Sequence, residues 1–126
     1  MISLATLRRA AVDLRGKVIV GRNRSVYEKE THEDFGVFSY DRQAKAFMLR
    51  QFHVEGFVNE YKLVRRSEDG REFEFLTERI ENIPAGYRAR EAYRLLGPDE
   101  FVETFSLAEP GKDFEVYSQT RFHRLK

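Results

Sequence analysis

Residues 47–66, FMLRQFHVEGFVNEYKLVRR, alternate in side-chain character with a period of two, broken only at Gly56. That pattern predicts two antiparallel strands around a tight bend. One face collects Phe47, Leu49, Gln51 and His53, then Phe57, Asn59, Tyr61 and Leu63. The other collects Met48, Arg50, Phe52 and Val54, then Val58, Glu60, Lys62 and Val64. A sandwich core requires one nearly apolar face, and neither face is that. Aromatics mixed with Gln, His, Asn and Tyr predict a curved sheet around a partly polar cavity.

The rest of the chain repeats the theme in shorter pieces. Met1 to Leu14 fits both a helical stripe and a strand, with a strand predicted over its second half. Arg15-Gly16 reads as a hairpin turn and Lys17 to Glu30 as one long strand, in which Gly21 marks a bend or a close backbone approach. Residues 30–34 read as a polar loop, Phe35 to Tyr40 as a short strand, and Asp41 to Lys45 as a turn. Ser67-Glu68-Asp69-Gly70 is the clearest turn signal, followed by alternation through Phe73, Phe75 and Thr77. Pro84-Ala85-Gly86 interrupts before Tyr87 to Leu96, and Gly97-Pro98-Asp99 turns the chain again. Phe101 to Leu107 and Phe114 to Leu125 are the last strands, separated by Glu109-Pro110-Gly111-Lys112.

This amounts to about nine strands at roughly 8 to 12 residue spacing. No helical stripe is long enough to connect parallel strands, so an all-β, antiparallel up-and-down meander is expected. It closes into a barrel or half-barrel as a single domain over residues 1–126. A two-sheet Greek-key sandwich, the alternative, needs longer connections.

Composition narrows the function classes. The 126 residues carry a formal net charge of +1 with acids and bases interspersed, so no global field holds a nucleic acid. The chain has no cysteine, which excludes disulfides and thiolate chemistry and fits a cytoplasmic location. No apolar run reaches the roughly 18 residues of a membrane span. His32, His53 and His123 read as one loop residue and two residues on distant strands, without the spacing of a local metal site, so neither metal nor cofactor is expected. No Gly-x-Ser-x-Gly, P-loop or Gly-x-Gly-x-x-Gly occurs, and an enzyme reading lacks a nucleophile.

Arginine outnumbers lysine, and its planar fork suits carboxylate or phosphate. Arg88, Arg90 and Arg94 share one strand face, and two readings compete for them. They either lace a solvated face to Glu72, Glu74 and Glu103 or supply a clamp for an acid head group. Arg8-Arg9 and Arg65-Arg66 read as surface. The eleven Phe and six Tyr form the core and would also suit an apolar ligand body.

GPDEFVETFSLA (97–108), YSQTRFHR (117–124) and GVFSYD (36–41) together resemble calycin-type barrels. More narrowly, the chain resembles the lipocalin-like bacterial domains of unassigned function and their haem-binding relatives, the nitrobindins, over roughly residues 16 to 126. The resemblance implies that the nitrobindin haem histidine falls at Gln119, which disfavours haem, with His123 the only nearby substitute. It also implies that Arg121 with Tyr117 corresponds to the carboxylate-holding pair of fatty-acid-binding barrels. Such barrels open on a Gly-x-Trp strand that this chain lacks, so an unpaired edge and a homodimer are expected, the alternative being that Met1 to Leu14 folds back as strand or helix and closes the gap within one chain.

The resulting expectation is non-catalytic binding of a small hydrophobic or amphipathic ligand, anchored by Gln51, His53, Tyr61, Arg90, Gln119 and Arg121. The alternative is an enzyme acting on a small acidic substrate, with His53 as acid or base. A third reading is a fully packed interaction domain without a cavity.

Overall fold

A computed structural model describes residues 5–125. It is a single antiparallel sheet of nine strands in sequential order, curled into a half-barrel. The strands are β1 (Ala5–Asp13), β2 (Val18–Val26), β3 (Thr31–Asp41), β4 (Ala46–His53), β5 (Val58–Arg66), β6 (Glu72–Glu81), β7 (Arg88–Gly97), β8 (Glu100–Ala108) and β9 (Glu115–His123). The all-β meander is therefore as the alternation predicts. Among the described residues no helix is long and apolar enough to cross a membrane.

Turn chemistry sets the hairpins. Leu14, Arg15 and Gly16 all take positive φ, and the Gly16 amide donates to the Asp13 carbonyl. Gly56 turns the central hairpin at φ +101°, where a side chain would be strained. Two boundaries differ from expectation. β2 ends at Val26, where the Tyr27 amide donates to Glu30 O at 2.8 Å, so residues 27–30 form the turn. The polar run after it is the start of β3 and not a loop. The strand expected over the second half of Met1 to Leu14 is longer than that, spanning Ala5–Asp13, and residues 1–4 of that segment lie outside the described residues.

Strand alternation divides the interior into two zones. Leu49, Tyr61, Phe75 and Ala89 form a buried cluster, with Phe38, Leu63, Phe73 and Tyr93 packed on it toward the end bounded by the 41–45 and 67–70 turns. Phe38, Phe75 and Tyr93 meet edge-on at centroid distances of 5.7, 6.2 and 6.1 Å. Such pairs each add about 0.5–1.5 kcal/mol beyond the area they bury. Toward the other end β3, β4 and β5 turn polar, through Asp34 and His32, Gln51 and His53, and Asn59, while on β7 and β8 the inner acids alternate with apolar residues, Glu91 between Tyr93 and Ala89 and Glu103 between Phe101 and Phe105. Gly21 lies opposite Gly36 across β2 and β3. The absent Gly36 side chain leaves its inner position to Leu49 and Gln51, whose atoms lie 3.5 Å from where a Cβ would sit.

No ladder joins β1 to β9 among the described residues, and one side chain spans that side instead. Arg8 of β1 reaches β8, donating to Glu103 through both terminal nitrogens at 2.6 and 2.9 Å, and its guanidinium lies 4.6 Å above the Phe122 ring of β9. Only 19% of the Arg8 side chain and 12% of the Glu103 side chain remain exposed, so neither charge is solvated well enough to stand alone. Arg8 is thus an interior residue, against its expected place on the surface. Replacing it by Met leaves the Glu103 carboxylate buried without a counterion. The expected loss is about 3 kcal/mol in urea unfolding. Arg8→Met combined with Glu103→Gln should recover part of it.

Candidate functional site

The polar zone encloses a cavity of about 1010 Å3 that opens between the strand ends. This lies at the upper end of the roughly 300–1,000 Å3 typical of ligand pockets. The ladder between β6 and β7 stops at Leu76 and Arg90. Beyond it the strands part, and Ile80, Ile83, Pro84 and Tyr87 form one wall. That loop is pinned twice. Asn82 Nδ2 donates to Gly56 O at 2.9 Å, and Gly86, at φ +97°, sits where a Cβ would meet Pro110 at 3.0 Å. Phe57, Phe105, Leu107 and Tyr117 complete the apolar side.

The floor is polar and incompletely satisfied. Six side-chain atoms among the described residues are buried without a hydrogen-bond partner: Glu60 Oε2, away from the cavity and 3.7 Å from Arg79, and five on residues that line it, Asn23 Oδ1, Gln51 Oε1, His53 Nε2, Asn59 Oδ1 and Glu91 Oε2. The Asn23 orientation is fixed because its Nδ2 donates to the Asp34 carboxylate at 3.2 Å, which leaves its oxygen as the inward acceptor. Asn59 Nδ2 donates to Tyr61 Oη at 3.0 Å, leaving Asn59 Oδ1 facing inward likewise. Four of the five orphan atoms are therefore oxygens.

Glu91 is fully enclosed. Burial holds its carboxyl well above the usual range, the negative charge of Glu103 pushes it further, and Arg8 pulls it partly back. For Arg8, burial works against the charge, but the Glu103 hydrogen bonds and charge outweigh it and the pKa rises.

At the rim two histidines meet. His32 Nε2 lies 3.4 Å from both His53 Nδ1 and Asp34 Oδ2, while His32 Nδ1 contacts Glu55 Oε2 at 2.8 Å. The Asp34 contact raises the His32 pKa, burial opposes it and Glu55 adds to it, for a result of about 9. Burial lowers that of His53 to about 4, with the nearby Asp34 opposing and the His32 charge adding. The His53 ring stacks on Phe57 at a centroid distance of 4.1 Å.

Of the residues expected to anchor a ligand, Gln51 and His53 line the cavity, and Tyr61 lies beneath it, fully buried. The other three are engaged elsewhere. Arg90 points outward because Ala89 and Glu91 take the inner positions of β7, and its guanidinium sits 4.6 Å above Phe114. Gln119 and Arg121 border the cavity from the edge strand, but their polar groups bind Thr104 Oγ1 at 3.1 Å and Glu100 at 2.7 Å. The cause is a bulge in β9. Phe105 pairs with Ser118 and Ser106 with Val116, so Tyr117 is the extra residue. Alternation restarts from Ser118, through Thr120 and Phe122 on the inside, and a face carried forward from Tyr117 is wrong beyond it.

Arg8, Asn23, His32, Asp34 and Glu91 are what sequence reasoning missed as anchors. The signal for two of them was present, because His32 and Asp34 continue the Gly36 and Phe38 alternation upstream. Their polarity made the segment read as a loop.

A nine-stranded antiparallel half-barrel around a half-polar cavity is consistent with a calycin-like fold. No protein-family model matches the chain, and no curated protein matches it in sequence.

The Glu91 environment has a pH signature. A carboxyl whose folded pKa lies above its unfolded value near 4.5 gives stability that is fully present below 4.5 and is lost as pH rises toward the folded value. Glu91→Gln keeps the shape and removes the titration. The variant should match the wild type near pH 4.5 and exceed it by several degrees in Tm at about pH 8. Parallel stability profiles across that range would place the Glu91 carboxyl in solvent.

Proposed function

We propose that this protein is a non-catalytic binder of a small amphipathic molecule whose polar end carries hydrogen-bond donors. The observation that carries the reading is the set of unpartnered buried atoms on the cavity floor, four of them oxygens. A buried polar atom left unmatched costs about 1–3 kcal/mol, so a floor of this kind is matched to something that enters it. Even with Glu91 set aside, Glu30, Asp34, Glu55 and Glu103 outnumber Arg8, His32 and Arg121 around the cavity, which favours a neutral or cationic head group over a carboxylate. The apolar body then lies along Phe57, Ile80, Ile83, Phe105 and Leu107.

This departs from the acid clamp expected of Arg90 and Arg121, since both guanidiniums are engaged outside. It keeps the broader likeness to the bacterial lipocalin-like domains, nitrobindins and fatty-acid-binding proteins, as carriers of a small molecule inside a barrel. The unjoined edges β1 and β9 further support self-association by strand pairing, for which light scattering should give twice the 14.9 kDa chain mass.

A single-tail series tests the head-group preference: dodecylamine, dodecanamide and dodecanoic acid, compared by calorimetric titration and thermal shift. The amine and amide are expected to bind one to one and raise Tm, and the acid to bind at least about tenfold more weakly. Gln51→Leu with Asn59→Leu should abolish the difference. Tightest binding by the acid, or no response to any of the three together with a bare chain in native mass spectrometry of untreated protein, overturns the reading.

A further inference from the structure

We propose that His32, Asp34 and His53 form a binding site for a first-row divalent metal ion of the zinc class, with an open coordination position facing the cavity. One ligand atom from each of the three lies within 4.8 Å of the other two. His32 Nε2 is the hinge of the set, 3.4 Å from His53 Nδ1 and 3.4 Å from Asp34 Oδ2. Ligand atoms about 2.0–2.1 Å from a tetrahedral zinc are separated from one another by about 3.3 Å, so an ion fits between these atoms with little movement of the rings.

The donor set decides the class of ion. Two imidazole nitrogens and one carboxylate oxygen suit zinc and its first-row neighbours, whereas calcium and magnesium take oxygen ligands. Three protein ligands leave a fourth position for water or for a cavity-bound group.

A second feature points the same way and is independent of the convergence. The remaining nitrogen of His32, Nδ1, contacts Glu55 Oε2 at 2.8 Å. Metal-bound imidazoles are commonly oriented by a carboxylate on their other nitrogen, which fixes the tautomer and raises ligand basicity. Asp34 is oriented too, by the Asn23 amide at 3.2 Å. A protonated His32 paired with Asp34 and Glu55 accounts for the two carboxylate contacts but leaves His53 Nδ1 sharing the same Nε2 proton as Asp34. Coordination accounts for all three. It displaces the proton from His32 Nε2 to solvent and leaves the Nδ1 proton on the ring, donated to Glu55.

The site is framed by backbone pairing. Asp34 and His53 are direct cross-strand partners on β3 and β4, and His32 lies two residues before Asp34 on the same face. The backbone thus fixes the spacing of the three groups, and the site does not depend on a flexible loop.

The test uses the full chain, stripped with chelator, and the metal alone as probe, so its result does not depend on the organic-ligand reading. Zinc chloride titrated calorimetrically at neutral pH is expected to bind one to one at micromolar concentration, while calcium and magnesium give no saturable heat. Asp34→Asn and His53→Ala should each weaken binding at least tenfold. Glu55→Gln, which touches His32 and not the metal, should weaken it about 10–100-fold. His123→Ala, on exposed β9, should have no effect. Cobalt(II) bound to the wild-type chain should show the strong visible absorption of a four- or five-coordinate ion, a readout that needs no variant. Absence of saturable zinc uptake by the folded wild type overturns the proposal. So does uptake that survives His32→Ala with His53→Ala, or a cobalt spectrum of the weak six-coordinate aquo type.

Discussion

The fork from Arg8 to Glu103 is the constraint on which the interior depends. A sheet whose end strands do not pair can flatten, and flattening would open the cavity to water. The guanidinium reaches from the first strand to the eighth and covers Phe122 of the ninth, so the curl is held by two charge-assisted hydrogen bonds and a ring contact. The same fork sets the charge beneath it. Glu103 is neutralised by Arg8, yet its field still reaches Glu91 and, after burial, helps raise that carboxyl above the usual range. Closure and cavity electrostatics are therefore one arrangement.

Above and below that layer the strands serve different ends. Near the 41–45 and 67–70 turns the inner positions hold aromatics and leucines that pack on one another, and stability is concentrated there. Further along the same strands come Gln51, Asn59 and Glu91, two residues from Leu49, Tyr61 and Tyr93, and Asp34, four residues from Phe38. A sequence selected only for stability would fill these positions with leucine or valine, since apolar residues there would remove several unmatched polar groups from a fold whose net stability is only about 5–15 kcal/mol. A polar layer one step from a well-packed core on the same strands is the physical argument for a binding role.

Much of this was legible in the chain. The period-two run through 47–66 places Gln51, His53, Asn59 and Tyr61 on one face, and all four face the interior. Turn residues marked the hairpins because positive φ and missing amide donors leave chemical signatures. What did not show has particular causes. Arg8 read as surface because the expectation of an unpaired edge carries no sign that a long side chain of the first strand reaches across it. Arg121 and Gln119 were assigned inward because a bulge at Tyr117 shifts the face by one, and nothing in Val116-Tyr117-Ser118 announces it. Glu91 and Arg90 are neighbours with opposite fates, separated only by the inner register of Ala89.

The histidines show a general limit of spacing rules. On a helix, ligands that meet lie three or four residues apart, so a local motif betrays them. In an antiparallel sheet, groups that meet lie opposite one another on two strands, and their separation in sequence is set by the length of the hairpin between them. His32 and His53 are twenty-one residues apart, and the register pairing Asp34 with His53 brings all three groups together. That register is fixed by the Asp41 turn, where Asp41 Oδ1 accepts from the amides of Gln43 and Ala44. A turn at the far end of the hairpin thus sets which side chains converge at the rim, and a one-residue slip there would send His53 to the outer face while His32 and Asp34 stayed inside.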